Sequence, residues 1–149
     1  MIDGSFNLQA GDIFTWENYP LWNSEKKDRR WFLFLGYQSL DAIVYQITTT
    51  TQYAHYDGTG DRKGNNHFKI NKGIGGLAED SIVDLTTYFE RIPEKLFNDH
   101  KTDIAKKGSL NQDWINKLVK HIKRDKHIPN IEKKDIYGYL RNANFKVTV

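Results

Sequence analysis

The sequence contains no cysteine and only three prolines in 149 residues. The lack of cysteine excludes disulfides and every metal site that depends on thiolate ligands. No apolar run approaches the roughly 20 residues that a membrane-spanning helix needs. The opening segment MIDGSFNLQAGD lacks the basic and then apolar order of a signal peptide. These absences predict a cytoplasmic protein that does not insert into membranes.

Several well-known catalytic motifs are missing as well. The five histidines are scattered, and no pair has the i, i+4 spacing of a helical metal site. The glycines of GIGG (73–76) lack the lysine and the spacing of a phosphate-binding loop, so they predict a tight turn. No Gly-x-Ser-x-Gly motif occurs. The sequence therefore gives no support to metal, nucleotide or serine-hydrolase chemistry, and we expect no metal and no cofactor.

Aromatic side chains are plentiful, at 13% of the residues, within an apolar fraction of 38%. Disordered chains are poor in aromatics, and the length suits a single folded unit, so we expect one domain over residues 1–149. Alternating or β-branched segments predict short strands at 12–19, 30–38, 42–51, 67–70 and 81–92. Residues 8–97 are thus expected to form a β unit of short antiparallel strands.

The periodicity changes after residue 100. Trp114, Ile115, Leu118, Val119 and Ile122 recur at helical spacing, and a second helix is expected from Asn130. Ser109 and Gln112 have the spacing of a capping box at the start of the first helix. The alternating segment 145–149 predicts a terminal strand. The fold class expected is therefore mainly β, with a helical C-terminal part over 98–149.

Charge is distributed unevenly along the chain. Residues 1–99 contain 10 basic and 14 acidic residues, a net charge of −4, whereas residues 100–149 contain 12 and 5, a net charge of +7. Such asymmetry favours a polyanionic or acidic partner, although a solvated lysine-rich helix face gives the same composition.

The most suggestive local pattern is a charged stretch, SEKKDRR (24–30), directly before a strand, with ITTTT (47–51) ending the next. If these two strands are antiparallel neighbours, Arg30 and Thr48 meet at one rim of the sheet. A guanidinium can hold two phosphate oxygens while a hydroxyl donates to a developing oxyanion. In RNA the substrate's own 2′-hydroxyl is the nucleophile. Threonine runs are also ordinary in strands, so a purely structural role stays open.

Five segments in order resemble the MazF/PemK family of toxin endoribonucleases. They are AGDIFTWE, NSEKKDRRWFLFLG, YQITTTT, HFKINKGIGGLAEDSIVDLTTYFERIPEKLF and KKGSLNQDWINKLVKHI, and together they span about residues 10 to 125. The resemblance implies an SH3-like barrel that forms a homodimer, cleaves single-stranded RNA without metal and binds an acidic antitoxin protein. It also implies a product with a 2′,3′-cyclic phosphate and a 5′-hydroxyl.

The same resemblance assigns roles to particular residues. It implies that Arg30 and Thr48 are catalytic, that Glu25 is a base or a positioning group, and that Ser81 is structural. The residues expected to bind RNA are Arg29, Trp31, Thr49, Arg62, Lys63, Lys120, Lys123 and Arg124. A surface ion pair of Glu25 with a neighbouring lysine is an equal alternative.

The chain departs from the family pattern in three places. Trp31 stands where the family has proline and Asn23 where it has glycine, and residues 126–149 have no counterpart. Trp31 can stack on a base or pack in the core. The alternative function is a non-catalytic barrel of the same type that binds nucleic acid through its C-terminal basic helix, or binds an acidic protein partner.

Overall fold

The computed structural model describes residues 8–20, 29–49, 60, 64–86 and 89–148. These residues form a mainly β fold with two of its three α-helices at the C-terminal end. The strands are β1 (Asp12–Trp16), β2 (Arg30–Gln38), β3 (Asp41–Thr49), β4 (His67–Ile70), β5 (Ser81–Asp84), β6 (Phe89–Pro93) and β7 (Ile104–Ser109). The helices are α1 (Glu94–Asp99), α2 (Gln112–Arg124) and α3 (Asn130–Asn142). The expectation of a mainly β fold followed by helices is confirmed.

The seven strands belong to one antiparallel sheet with the order β4-β5-β3-β2-β1-β7. Strand β6 lies off this path and pairs with residues 41–45 of β3, while β5 pairs with residues 47–49 of the same strand. Within the described residues the sheet is not closed, because β4 and β7 stand at its two ends. The antiparallel pairing of β2 with β3 is confirmed.

Strand β2 lies near the middle of the sheet because its side chains are apolar on both faces. Leu33 and Leu35 point into a first core, and Phe32 and Phe34 into a second core on the other face; none of the four is more than 1% exposed. A continuous apolar run is the pattern expected of a strand that is covered on both sides.

The two cores differ in their chemistry. The first is largely aliphatic and is covered by α2 and α3, whose buried residues include Leu118, Ile122 and Leu140. The second is aromatic, with Phe14 stacked on Phe32 at 5.2 Å between ring centroids and further rings packed around them. The sheet is therefore a rigid layer between two apolar layers, which fixes the positions of its strand ends.

Helix α2 buries the apolar stripe that its sequence predicted, from Trp114 to Ile122. Its first turn is capped by Asn111, whose side chain accepts a hydrogen bond from the Trp114 backbone at 3.1 Å. The expected capping box at Ser109 is wrong, because Ser109 ends β7 and donates to Asp12 at 2.6 Å. None of the helices in the described part of the chain is both long and apolar enough to cross a membrane.

Helix α3 crosses β2 at Gly36, where the ring of Tyr139 lies directly on the backbone. A Cβ at Gly36 would come within 2.4 Å of that ring, so only glycine permits this approach. Gln38 donates to Asp135 at 3.3 Å and fixes the same contact. The C-terminal helices are thus docked at the end of β2 that lies away from Arg30.

Three segments differ from the sequence expectations. Residues 81–92 form two strands, β5 and β6, that pair with different halves of β3. Strand β7 lies inside the part expected to be helical; it is an edge strand with mostly exposed polar residues, so it carries little apolar periodicity. Residues 145–148 form no strand, and the Lys146 backbone instead donates to Gln112 at 2.9 Å.

Candidate functional site

The register of β2 and β3 brings Arg30 and Thr48 together. The ladder pairs Trp31 with Ile47, so the next residues outward, Arg30 and Thr48, stand opposite each other. Side chains at opposite positions of antiparallel strands lie on the same face, with Cβ atoms about 4.5–5.5 Å apart. Both residues are partly buried. We call this end of the two strands, with residues 29–31 and 47–49, the rim.

The hydroxyl of Thr48 is only weakly engaged. Within the described residues it donates to the Ile82 carbonyl at 3.5 Å, the long limit for such a contact. A better acceptor placed at the rim can therefore take this hydrogen without a large cost.

A small pocket of about 180 Å³ opens at the rim. Arg29, Trp31, Ile47 and Thr48 form one wall, and the segment before β5 forms the other with Leu77, Ala78, Glu79 and Ser81. Trp31 packs against the first core and also lines the pocket, so both roles considered for it fit its position. Ser81 is buried and donates to the Glu79 carbonyl at 2.9 Å, which fits a structural role.

The two neighbouring arginines have different surroundings. Arg29 lines the pocket and forms a salt bridge through Nε with Glu17 at the end of β1. Arg30 pairs in register with Trp16 and lies on the face of the aromatic core. A phosphate at the pocket would meet the Arg29 guanidinium directly and would compete with Glu17 for it.

Two residues that the sequence did not single out share the face of Arg30 and Thr48. Gln46 is opposite Phe32 in the ladder, and Trp16 is opposite Arg30. The Gln46 Oε1 and the Trp16 Nε1 are buried and have no hydrogen-bond partner among the described residues. Each unpartnered buried polar atom costs about 1–3 kcal/mol. This face therefore combines a cation, a hydroxyl and two polar atoms whose hydrogen-bonding capacity is unused. The register of β1, β2 and β3 is what shows that these residues share a face.

The remaining predicted site residues do not gather at the rim. Lys120 and Lys123 are exposed on α2 and line pockets beside α2 and α3. Arg124 lies beside the His121 ring, 2.9 Å from Nδ1. The backbone of Thr49 pairs with Ser81, but its side chain lies outside the described part. Glu25, Arg62 and Lys63 also lie outside the described residues.

A polar cluster ties α2 to β4 at the far side of the first core. The Asn66 amide donates to the His121 carbonyl at 2.7 Å and to Asp125 at 2.9 Å. The Asn66 oxygen lies 3.0 Å from His121 Nδ1, which the Arg124 guanidinium also approaches. Burial on Phe68, together with the charge of Arg124, lowers the pKa of His121 to about 4. The neutral imidazole thus holds a structural contact.

Comparisons with known proteins do not identify a family. A scan against models of protein families and a search of curated proteins both gave no match. Among the described residues, no group of three or more histidine, aspartate or glutamate side chains is placed to hold a metal ion. The features that bear on function are therefore the rim and the charge of the two C-terminal helices.

Proposed function

We propose that the protein is a metal-independent endoribonuclease of the toxin–antitoxin type, acting on single-stranded RNA at the rim. The observation that carries the proposal is the placement of Arg30 opposite Thr48 beside a pocket lined by Arg29 and Trp31. A permanent cation and a loosely held hydroxyl are the two groups that phosphodiester cleavage needs when the nucleophile comes from the substrate.

The reaction is a transfer within the RNA strand. The 2′-hydroxyl attacks the adjacent phosphorus, an O2′–P bond forms, and the P–O5′ bond breaks. The 2′ proton goes to a base, and the protonated base returns a proton to the departing O5′, which leaves a 2′,3′-cyclic phosphate and a 5′-hydroxyl. Arg30 neutralises the phosphate as its charge grows, and Thr48 donates to a non-bridging oxygen.

The base is a carboxylate. Resemblance to the MazF/PemK family gives Glu25 this role or a positioning role. Glu79 is a carboxylate on the pocket wall and is exposed to solvent. Arg29 binds the neighbouring phosphate after exchanging its partner Glu17 for it. This exchange costs little, because ion pairs between exposed groups contribute about 0–1 kcal/mol.

The fold is proposed to be an SH3-like barrel of the MazF/PemK type. The turn between β4 and β5 supports this, since it reaches across to β7 at the other end of the sheet. A Cβ at Gly76 would lie 2.2 Å from the Lys107 carbonyl, so the turn and the edge strand are in close contact. The two ends of the open sheet therefore approach each other through this turn, although β4 and β7 do not pair with each other.

The biological setting follows from the same resemblance. The protein acts in the cytoplasm as a homodimer, and an acidic antitoxin protein inhibits it. The net charge of +7 over residues 100–149 supports a polyanionic substrate and an acidic inhibitor.

The proposal is tested by cleavage of single-stranded RNA in EDTA by the wild type, Arg30→Ala, Arg29→Ala and Lys95→Ala. Lys95 is exposed on α1 and serves as the control for loss of one charge. Arg30→Ala is expected to lower the rate by about 10²–10³-fold, as does loss of one transition-state donor elsewhere. Arg29→Ala should chiefly raise KM. Undiminished cutting by Arg30→Ala, or no cutting by any form, contradicts the proposal.

A further inference from the structure

A large basic depression lies between the two C-terminal helices. Its volume is about 660 Å³, within the range of ligand-binding pockets. One residue of α2 and five of α3 line it: Lys123, Asn130, Lys133, Lys134, Tyr137 and Arg141. A second pocket of about 370 Å³ shares Lys123 and adds Lys120 and Lys146. We call the two together the helical groove.

The charge of the helical groove has one sign. Lysine and arginine residues line it at six positions, and no aspartate or glutamate of the described chain segments lines either pocket. The acids of α3 are used on its other face, where Glu132 pairs with Arg91 at 2.8 Å and Asp135 accepts from Gln38. The helix thus keeps its acidic residues against the sheet and presents its basic residues to α2.

The groove is held in shape by contacts between its own parts. The Lys133 ammonium donates to the Lys123 carbonyl at 3.0 Å and to the Asp125 carbonyl, which ties α3 to the end of α2. The Arg141 guanidinium donates to the Val147 carbonyl at 3.0 Å and fixes the C-terminal segment. A cluster of like charges costs free energy, so its assembly on a fixed scaffold favours a ligand of opposite charge.

The other four cations of the groove are available to such a ligand. They are Lys120, Lys123, Lys134 and Lys146, all exposed, and in the described part of the chain their ammonium groups have no acceptor. We propose that the helical groove binds the phosphate backbone of single-stranded nucleic acid without base specificity. Residues 126–149, which have no counterpart in the MazF/PemK pattern, contribute most of its cations.

The lining favours nucleic acid over an acidic polypeptide. Protein partners are held by apolar anchors inserted into pockets. Two of its apolar residues are nearly buried, Tyr137 at 6% and Val119 at 7% exposure, and Val147 is half-buried. Six of the other lining residues are lysine or arginine, which suits a chain with a charge at every unit. Affinity from phosphate contacts alone is independent of sequence and falls steeply with salt.

The groove is separate from the rim, so the inference does not rest on cleavage. Helix α3 meets β2 at Gly36, six residues and about 20 Å along the strand from Arg30. The basic face of α3 points away from that contact. The groove therefore holds a part of the strand other than the phosphate at the rim.

The test uses the full chain and a fluorescein-labelled 2′-O-methyluridine oligonucleotide, which has no free 2′-hydroxyl and cannot be cut. Anisotropy gives Kd between about 50 and 200 mM salt. The variant Lys123→Gln/Lys134→Gln is matched by Lys95→Gln/Lys107→Gln, which removes two exposed lysines elsewhere. The groove variant is expected to bind at least about tenfold more weakly, with a salt slope reduced by about 1.4, at about 0.7 per lost contact.

Equal weakening by both double variants, or no weakening by the groove variant, overturns the inference. A labelled polyglutamate peptide of matched charge is the competing ligand. Tighter binding of that peptide than of the oligonucleotide at the same salt also overturns it, in favour of a protein partner. Groove-dependent binding of the oligonucleotide with no cutting of RNA would reject the proposed function and leave this inference standing.

Discussion

The rim and the helical groove are both basic, but their charges are organised differently. At the rim, Arg29 is paired with Glu17, and Glu79 stands on the pocket wall. In the part of the chain that the structure describes, the groove has six cations and no acid along its lining. Mixed charge with a hydroxyl suits proton transfer and charge development at one bond. Positive charge alone suits attraction of a nucleic-acid strand along its length. Under the proposed function, the rim is the site for chemistry and the helical groove is a separate site for binding.

The largest difference between the two sites is expected from Thr48→Val, which keeps the shape of the side chain and removes its hydroxyl. Loss of one donor to the developing charge should lower kcat by about 10²-fold. Binding of the uncleavable oligonucleotide should change less than about twofold, since phosphate contacts supply that affinity. Single-turnover cleavage and anisotropy measure the two effects.

Thr102→Val is the control for this change, because Thr102 is an exposed threonine outside both sites. If Thr48→Val weakens binding as much as cleavage, the separation between chemistry and binding is wrong.

The second largest effect is expected for the packing of α3 on β2, which supports the helical groove. Gly36→Ala forces a Cβ against the Tyr139 ring, and overpacking of this kind costs about 1–3 kcal/mol of unfolding free energy. Gly64→Ala is the control, because a Cβ there meets nothing within 4 Å. Thermal unfolding should show the loss for Gly36→Ala alone, with weaker oligonucleotide binding. Equal Tm values for the two variants would mean that α3 does not depend on this contact.

The smallest effect is a pH dependence at the cluster that ties α2 to β4. The pKa of His121 is lowered to about 4 in the folded chain, against about 6.5 when unfolded. The unfolded chain therefore binds the extra proton first as pH falls, and stability decreases between about pH 6.5 and 4. Denaturant unfolding of His121→Phe should show a shallower decrease than the wild type.

His127→Gln is the control for the pH experiment, since His127 is exposed on the same segment. An unchanged slope in His121→Phe would contradict the assignment to His121.

The central strands were predictable because their signal is local. The apolar run of β2 and the β-branched run of β3 mark buried strands whatever their partners. The placement of Arg30 and Thr48 at one rim followed from assuming antiparallel neighbours. Their direct opposition, and that of Phe32 and Gln46, depends on the register shift between Phe34 and Gly36, which leaves no trace in the sequence.

The edge strand β7 and the helical groove could not be predicted from the sequence, for a different reason. Strand β7 carries AKKG in its middle, which has no apolar alternation, and it is held by pairing with β1. The lysines of α3 were visible only as basic composition. Which way they face is decided by the docking of Tyr139 on Gly36, a long-range contact that no local pattern reports.

The most direct test of the account uses an RNA whose nucleotide at the cut site is replaced by its 2′-deoxy form. Cleavage of this RNA is measured in EDTA. The rim supplies no nucleophile of its own in this account, so that single bond should resist cutting while oligonucleotide binding is unchanged. The cut in unmodified RNA should leave a 2′,3′-cyclic phosphate. Cleavage at the 2′-deoxy position at the normal rate would contradict the account, because the nucleophile would then have to come from the protein or from water.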